Sequence, residues 1–157
     1  MLRNTGIVLA LLMVLAGSAI AQMKTSADVV KAEPASGEVS AVAGQRVDFT
    51  IKLDIAKKWH IYAHGDTNFI GVDLVPSEYF PLEDFQAEYP HGHEGEFFGE
   101  KVKMIEGKET IAASALIPEG MPAGEYPLEL GVTVQACDDK TCLAPVDLPV
   151  VIKLQVK

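Results

Sequence analysis

Apolar and polar residues alternate along three long stretches of the chain, at residues 47–53, 128–134 and 148–156. A period of two places every second side chain on the buried face of a β-strand. Glycine and proline turn signals separate these stretches from shorter ones, and no window of useful length shows a helical stripe. The shorter runs predict weaker strands at residues 39–42, 59–63, 85–89, 102–105 and 111–116.

Seven or eight short strands with frequent turns predict an all-β fold, an immunoglobulin-like antiparallel two-sheet sandwich. A small barrel is the second possibility. The spacing of the two cysteines differs from that of antibody domains, so the expected likeness is one of architecture alone. Residues 22–34 are expected to form a loose arm before the first firm strand, because Pro34 interrupts strand pairing.

The first 21 residues have the pattern of a signal peptide. Arg3 precedes an apolar run over residues 7–15, and Ala19-Ile20-Ala21 forms a small-x-small cleavage site. We therefore expect cleavage after Ala21, a single domain at residues 22–157 and a periplasmic location. The apolar run is too short to cross a bilayer, and no later stretch approaches about 20 apolar residues. The mature chain is thus expected to have no membrane span.

Acidic residues outnumber basic ones in the expected mature chain. The full sequence has 13 basic and 22 acidic residues, and removal of Arg3 with the signal peptide leaves 12 against 22, a net charge of −10. Such a surface repels phosphate backbones and anionic lipids, which argues against nucleic-acid and membrane-surface partners.

The only two cysteines, Cys137 and Cys142, are separated by four residues. In an extended strand their Cα atoms would lie about 17 Å apart, whereas the Cα atoms of a disulfide are usually roughly 4.4–6.8 Å apart. A bond between them therefore requires a hairpin whose tip is residues 138–141, and aspartate favours such a turn. Closing so short a loop stabilises a fold by only about 2 kcal/mol. Both an inert staple and a redox-active pair are consistent with this spacing.

Several motifs occur in an order that resembles one known family. They are Lys-Trp-His-Ile-Tyr at 58–62, Gly-Glu-Phe-Phe-Gly at 95–99, Gln-Ala-Cys at 135–137 and Cys-Leu-Ala-Pro at 142–145. Together they resemble the amino-terminal domain of the thiol:disulfide interchange protein DsbD, over most of the mature chain. The resemblance implies an immunoglobulin-like periplasmic domain that passes reducing equivalents between thioredoxin-like partners and needs no cofactor. The full-length proteins of that family continue into a membrane electron-transfer region and a thioredoxin-like domain. We therefore expect other chains to supply the membrane electron donor here, unless the domain has been redeployed.

The resemblance further implies roles for individual residues. Cys142 is the sulfur that forms the mixed disulfide with a partner, and Cys137 is the resolving thiol. Phe97 is the lid over the sulfurs, and an apolar ring there would exclude stray thiols until a partner displaces it. The residues expected beside the lid or lining the same site are Glu96, Phe98, Tyr62 and His60.

The chain departs from the family pattern near these residues. Gly95 replaces a frequent acidic residue, Phe98 replaces a tyrosine, and His60 stands where some relatives have a hydroxylated aromatic residue. His60 is therefore either a titrating group that handles protons or a half-buried structural histidine. Core packing is the simpler role for at least one of Phe97 and Phe98.

Other functions have weaker support in the sequence. His91 and His93, with His60, His64, Glu94 and Glu96 near them in sequence, raise the hypothesis of a zinc or copper site, but a solvated loop explains the pair better. No motif for hydrolysis or phosphate binding is present. The main alternative to a redox relay is a non-catalytic immunoglobulin-like binding or assembly module whose disulfide is inert.

Overall fold

The computed structural model describes residues 23–157, and the signal peptide expected at residues 1–21 lies outside them. Within these residues the chain is built from strands, with one 3-10 turn at Ser26–Asp28 and no α-helix. The strands are β1 (Val30–Pro34), β2 (Glu38–Ala41), β3 (Arg46–Ile55), β4 (Ile61–Tyr62), β5 (Asp73–Pro76), β6 (Glu83–Glu88), β7 (His93–Phe97), β8 (Glu100–Ile105), β9 (Lys108–Leu116), β10 (Gly124–Val134) and β11 (Val146–Val156).

Two four-stranded sheets form the sandwich, with strand orders β1-β3-β9-β6 and β2-β11-β10-β5. The predicted alternation is confirmed, because every second residue of β3, β10 and β11 is buried along most of each strand. Side chains from both sheets share one hydrophobic core, which confirms the predicted all-β sandwich. The central residues of this core include Ile51, Leu53, Ile111, Leu128, Ile152 and Leu154.

The expectation of a loose arm over residues 22–34 is wrong. Residues 26–28 form the 3-10 turn, and β1 pairs with β3 from Val30 opposite Ile55 to Pro34 opposite Ile51. Because β1 is an edge strand and Pro34 is its last residue, the missing N–H is tolerated. Val30 is buried, so this segment contributes to the core.

Two further features differ from the predicted antiparallel sandwich of seven or eight strands. The described residues contain eleven strands, because β1, β5 and β7 were not among the predicted runs. One neighbouring pair, β2 and β11, is parallel, while the other pairs of named strands are antiparallel. Residues 23–157 contain no helix that is long and apolar enough to cross a bilayer.

A third, smaller sheet has the order β4-β8-β7 and lies outside the two main sheets. It contributes to a separate buried cluster of Tyr62, Phe97, Val102 and Cys137. Phe69, Met104 and Cys142 pack against this cluster and are only partly buried. The small sheet thus brings aromatic side chains to the cysteine pair.

Candidate functional site

The two cysteines form a disulfide across a hairpin, the chain reversal that a bond at this spacing requires. Cys137 and Cys142 are directly opposite each other, with their Cα atoms 4.0 Å apart. The backbone bonds on either side are Asp138 N–H to the Thr141 carbonyl at 2.9 Å and Leu143 N–H to the Ala136 carbonyl at 2.8 Å. The cysteines therefore occupy a non-hydrogen-bonded pair, the position in which opposite Cα atoms approach most closely.

Asp138 closes the tip of this hairpin. Its Oδ1 accepts hydrogen bonds from the backbone N–H groups of Lys140 at 2.9 Å and Thr141 at 2.8 Å. These two bonds are the main cause of the lowered pKa of the Asp138 carboxyl. Asp138 is thus both the residue that forms the turn and a negative charge beside Cys137.

The two cysteines differ in their access to solvent. Cys137 is 0% exposed. Its backbone N–H and carbonyl both bond to His60, at 2.9 Å each, so one edge of Cys137 is covered by the chain that leads into β4. Cys142 lies on the opposite arm of the hairpin and is only partly buried. Of the two cysteines, Cys142 is therefore the one with surface exposed to solvent.

The stem of the hairpin is held by Ser26, a residue that sequence reasoning missed. Its buried hydroxyl donates to the Ala144 carbonyl at 2.8 Å and accepts from the Ala136 N–H at 2.9 Å. Ser26 thereby links both arms of the hairpin to the amino-terminal turn. No local pattern could have revealed this contact, since Ala136 lies 110 residues away in sequence.

Phe97, at the end of β7, lies in the same buried cluster as Cys137 and is 5% exposed. The centroid of its ring is 5.4 Å from those of His60 and Phe69. The structure therefore brings Phe97 together with Tyr62, His60 and the cysteines. Glu96 and Phe98 are its sequence neighbours but are exposed, and Phe98 is 73% exposed.

Tyr62 is a fully buried member of this cluster. It is 0% exposed and stacks on Phe69 with ring centroids 4.5 Å apart. Its hydroxyl lies 3.2 Å from Nε2 of His60. Burial, reinforced by the negative charge of Asp66, raises the pKa of Tyr62 to about 12. The phenol is therefore neutral at physiological pH and can hydrogen-bond to the imidazole.

His60 is a buried imidazole beside the disulfide, 5% exposed. Burial is the largest influence and lowers the pKa of His60 below its usual value. The carboxylates of Glu106, Asp139 and Asp138 oppose this shift, and His93 adds to it. His60 is therefore held mainly in its neutral form near pH 7.

Acidification should reveal the burial of His60. Because the pKa of His60 is lower in the folded protein, the unfolded chain binds the proton first as the pH falls below about 6.5. The free energy of unfolding should decrease over that window, by at most about 1.4 kcal/mol per pH unit, down to the folded-state pKa. His60→Phe keeps an aromatic ring and removes the titration, so chemical unfolding of both proteins across this pH range measures the effect. If the free energy of unfolding falls with pH equally in the wild type and the variant, His60 does not cause the loss of stability.

The histidines considered as metal ligands lie in different environments. His93 is exposed, with Nε2 3.5 Å from a carboxylate oxygen of Glu106. His64 stacks on Tyr89 with ring centroids 3.9 Å apart, and His60 faces Tyr62. Within residues 23–157, no group of three or more His, Cys, Asp or Glu side chains is arranged to hold a metal ion.

The fold and the site together define a β-sandwich domain with a hairpin disulfide beside a cluster of aromatic side chains. The chain belongs to the family described as the N-terminal domain of the thiol:disulfide interchange protein DsbD. The model of this family matches residues 26–150. This match spans the cysteine hairpin, the small sheet and most of both main sheets.

One solved structure with a TM-score above 0.5 supports the fold. The N-terminal periplasmic domain of ScsB from Proteus mirabilis superposes with a TM-score of 0.55 at 10% identity, over 80% of this chain and 45% of that one. The chain thus spans less than half the length of that relative. A family 123 glycoside hydrolase from Clostridium perfringens matches with a TM-score of 0.40 at 10% identity, over 79% of this chain and 27% of that chain, which is too weak to carry an argument. None of the curated proteins matches the chain.

Proposed function

We propose that the chain is a periplasmic thiol-disulfide relay that passes reducing equivalents between thioredoxin-like proteins through Cys137 and Cys142. The observation that carries the proposal is the asymmetry of the pair: one sulfur-bearing residue is fully buried and the other is partly exposed at a hairpin tip. Membership of the thiol:disulfide interchange family supports the same chemistry. The signal-peptide pattern at residues 1–21 supports export to the periplasm.

The proposed reaction begins at the accessible sulfur. A thiolate of the reduced partner attacks Sγ of Cys142, the Cys137–Cys142 bond breaks, and its electron pair passes to Sγ of Cys137, which takes up a proton. The second thiol of the partner then attacks the partner's own sulfur in the mixed disulfide and releases Cys142 as a thiolate, which is also protonated. The domain has gained two electrons and two protons, and the partner has become a disulfide. The same steps in reverse reduce the next partner.

The residues around the hairpin support these separate roles for Cys142 and Cys137. The covered position of Cys137 keeps it close to Cys142 while a partner is attached, because its backbone is bonded to His60 on one side. Ser26 holds the two arms of the hairpin by bonds that do not involve sulfur, so the stem can persist when the disulfide opens. A relay needs this property, because its reduced form must present both thiols in nearly the same place.

The experiment that tests the proposal follows both cysteines through one cycle. The oxidised protein is mixed with a reduced thioredoxin-like protein, quenched with an alkylating reagent and weighed by mass spectrometry. We expect both cysteines to be alkylated, and we expect the disulfide to return when an oxidised thioredoxin-like protein is added. A binding module with an inert disulfide would keep the bond throughout, and that result would contradict the proposal.

A further inference from the structure

The turn between β7 and β8 has an unusual residue at its first position. Phe97 pairs with Glu100, so the loop consists of Phe98 and Gly99 alone. Both have positive φ, 50° and 83° respectively. Two-residue turns with this backbone favour Asn-Gly or Asp-Gly, because few side chains tolerate the left-handed conformation. A bulky phenylalanine at the first position is therefore a strained choice for the turn itself.

Burial does not account for this choice either. The side chain of Phe98 is 73% exposed. Within the described part of the chain its one aromatic neighbour is Phe97, with ring centroids 4.4 Å apart. An aromatic ring that is both exposed and held by strained backbone gains little in the isolated domain. Strained residues of this kind cluster where a protein binds or switches.

The position of Phe98 indicates what it could bind. Its neighbour Phe97 occupies the buried cluster that includes Cys137, and Cys142 packs against the same cluster. A protein whose thiol approaches Cys142 must therefore come close to this turn. Aromatic residues, phenylalanine among them, are enriched at the cores of protein interfaces relative to the rest of the surface.

We propose that Phe98 is the docking anchor for the partner dithiol protein, and that it inserts into an apolar surface around the partner's reactive sulfur. This inference rests on the proposed function and adds to it the residue that recognises the partner. A small thiol offers no apolar surface for the Phe98 ring, so Phe98 should favour reduction by a protein partner over reduction by a small thiol.

The test uses the ratio of two rate constants, for reduction of the disulfide by a thioredoxin-like protein and by free dithiothreitol. Phe98→Asn places a residue that favours the left-handed turn, so the thermal unfolding midpoint should not fall. The ratio should fall by about tenfold, as expected for the loss of about 1.4 kcal/mol of transition-state binding. Phe98→Tyr, which keeps an exposed ring, should retain most of the wild-type ratio.

Tyr79→Asn is the matched control, because Tyr79 is also an exposed aromatic residue, 78% exposed, in the segment between β5 and β6. It should leave the ratio unchanged. The inference is overturned if Phe98→Asn keeps the wild-type ratio, or if Phe98→Tyr loses as much as Phe98→Asn. Failure of the proposed function would look different, because the wild-type protein itself would then show no preference for the protein dithiol.

Discussion

Replacing Cys137 with alanine is expected to turn the domain into a trap for its partner. The remaining cysteine, Cys142, is only partly buried in the hairpin and keeps a thiol that can form a mixed disulfide. Without Cys137 no sulfur of this chain can attack that bond and release the partner. The partner is a thioredoxin-like protein that lacks its own resolving cysteine and whose remaining cysteine is first converted to a mixed disulfide with thionitrobenzoate. The Cys142 thiolate attacks the partner's sulfur and expels thionitrobenzoate, so Cys137→Ala should accumulate as a covalent complex. Non-reducing electrophoresis and intact-mass measurement detect it directly.

Cys142→Ala is the matched control for the trap. It leaves Cys137, which is 0% exposed and shares a buried cluster with Phe97. We expect it to trap at least about tenfold more slowly, which corresponds to about 1.4 kcal/mol of additional barrier. Because the chain has two cysteines, each variant has one thiol and each complex has one possible linkage. Equal trapping by both variants, or faster trapping through Cys137, would refute the assigned roles.

Replacing Phe97 with alanine is expected to have two large effects at once. Truncation of a buried phenylalanine should lower the free energy of unfolding by about 3 kcal/mol or more. It also removes the ring from the cluster that contains Cys137. We propose that the Phe97 ring shields the disulfide from small thiols, so reduction of the folded variant by dithiothreitol should accelerate by about tenfold or more. Stopped-flow reduction with an alkylation quench measures the rate.

A second truncation separates access from instability. Phe85 belongs to β6, is partly buried against the main core and contacts Phe49 with a tilted ring, so it lies outside the cluster that contains Phe97 and Cys137. Phe85→Ala should destabilise the sandwich without opening the cysteine site. If Phe97→Ala and Phe85→Ala accelerate reduction equally, the effect comes from unfolding, and Phe97 has no gating role.

The parts of the fold that could be predicted are those recorded in local patterns. The long strands β3, β10 and β11 have one face on the core, so their alternation is regular and easily recognised. The strand β1 was missed because proline usually opposes pairing, and only its edge position makes Pro34 acceptable. The parallel pairing of β2 with β11 joins segments more than 100 residues apart and leaves no local signal.

The same distinction applies to the site. The short spacing of Cys137 and Cys142 predicted a hairpin by chain geometry alone, and the structure confirms it. The contacts that give the pair its asymmetry are long-range, since His60 covers Cys137 and Ser26 ties the stem from distant parts of the sequence. The backbone of Phe98 was equally hidden, because Phe-Gly is not a typical sequence for this turn.

The central claim is that this disulfide exchanges with protein dithiols by a specific encounter. The most direct test is the second-order rate constant for reduction of the wild-type disulfide by a thioredoxin-like protein, divided by that for dithiothreitol at the same pH. The account predicts a ratio of about 100 or more, equivalent to about 2.7 kcal/mol of transition-state stabilisation. A ratio near one, or a disulfide that the thioredoxin-like protein reduces only after the domain unfolds, would contradict it.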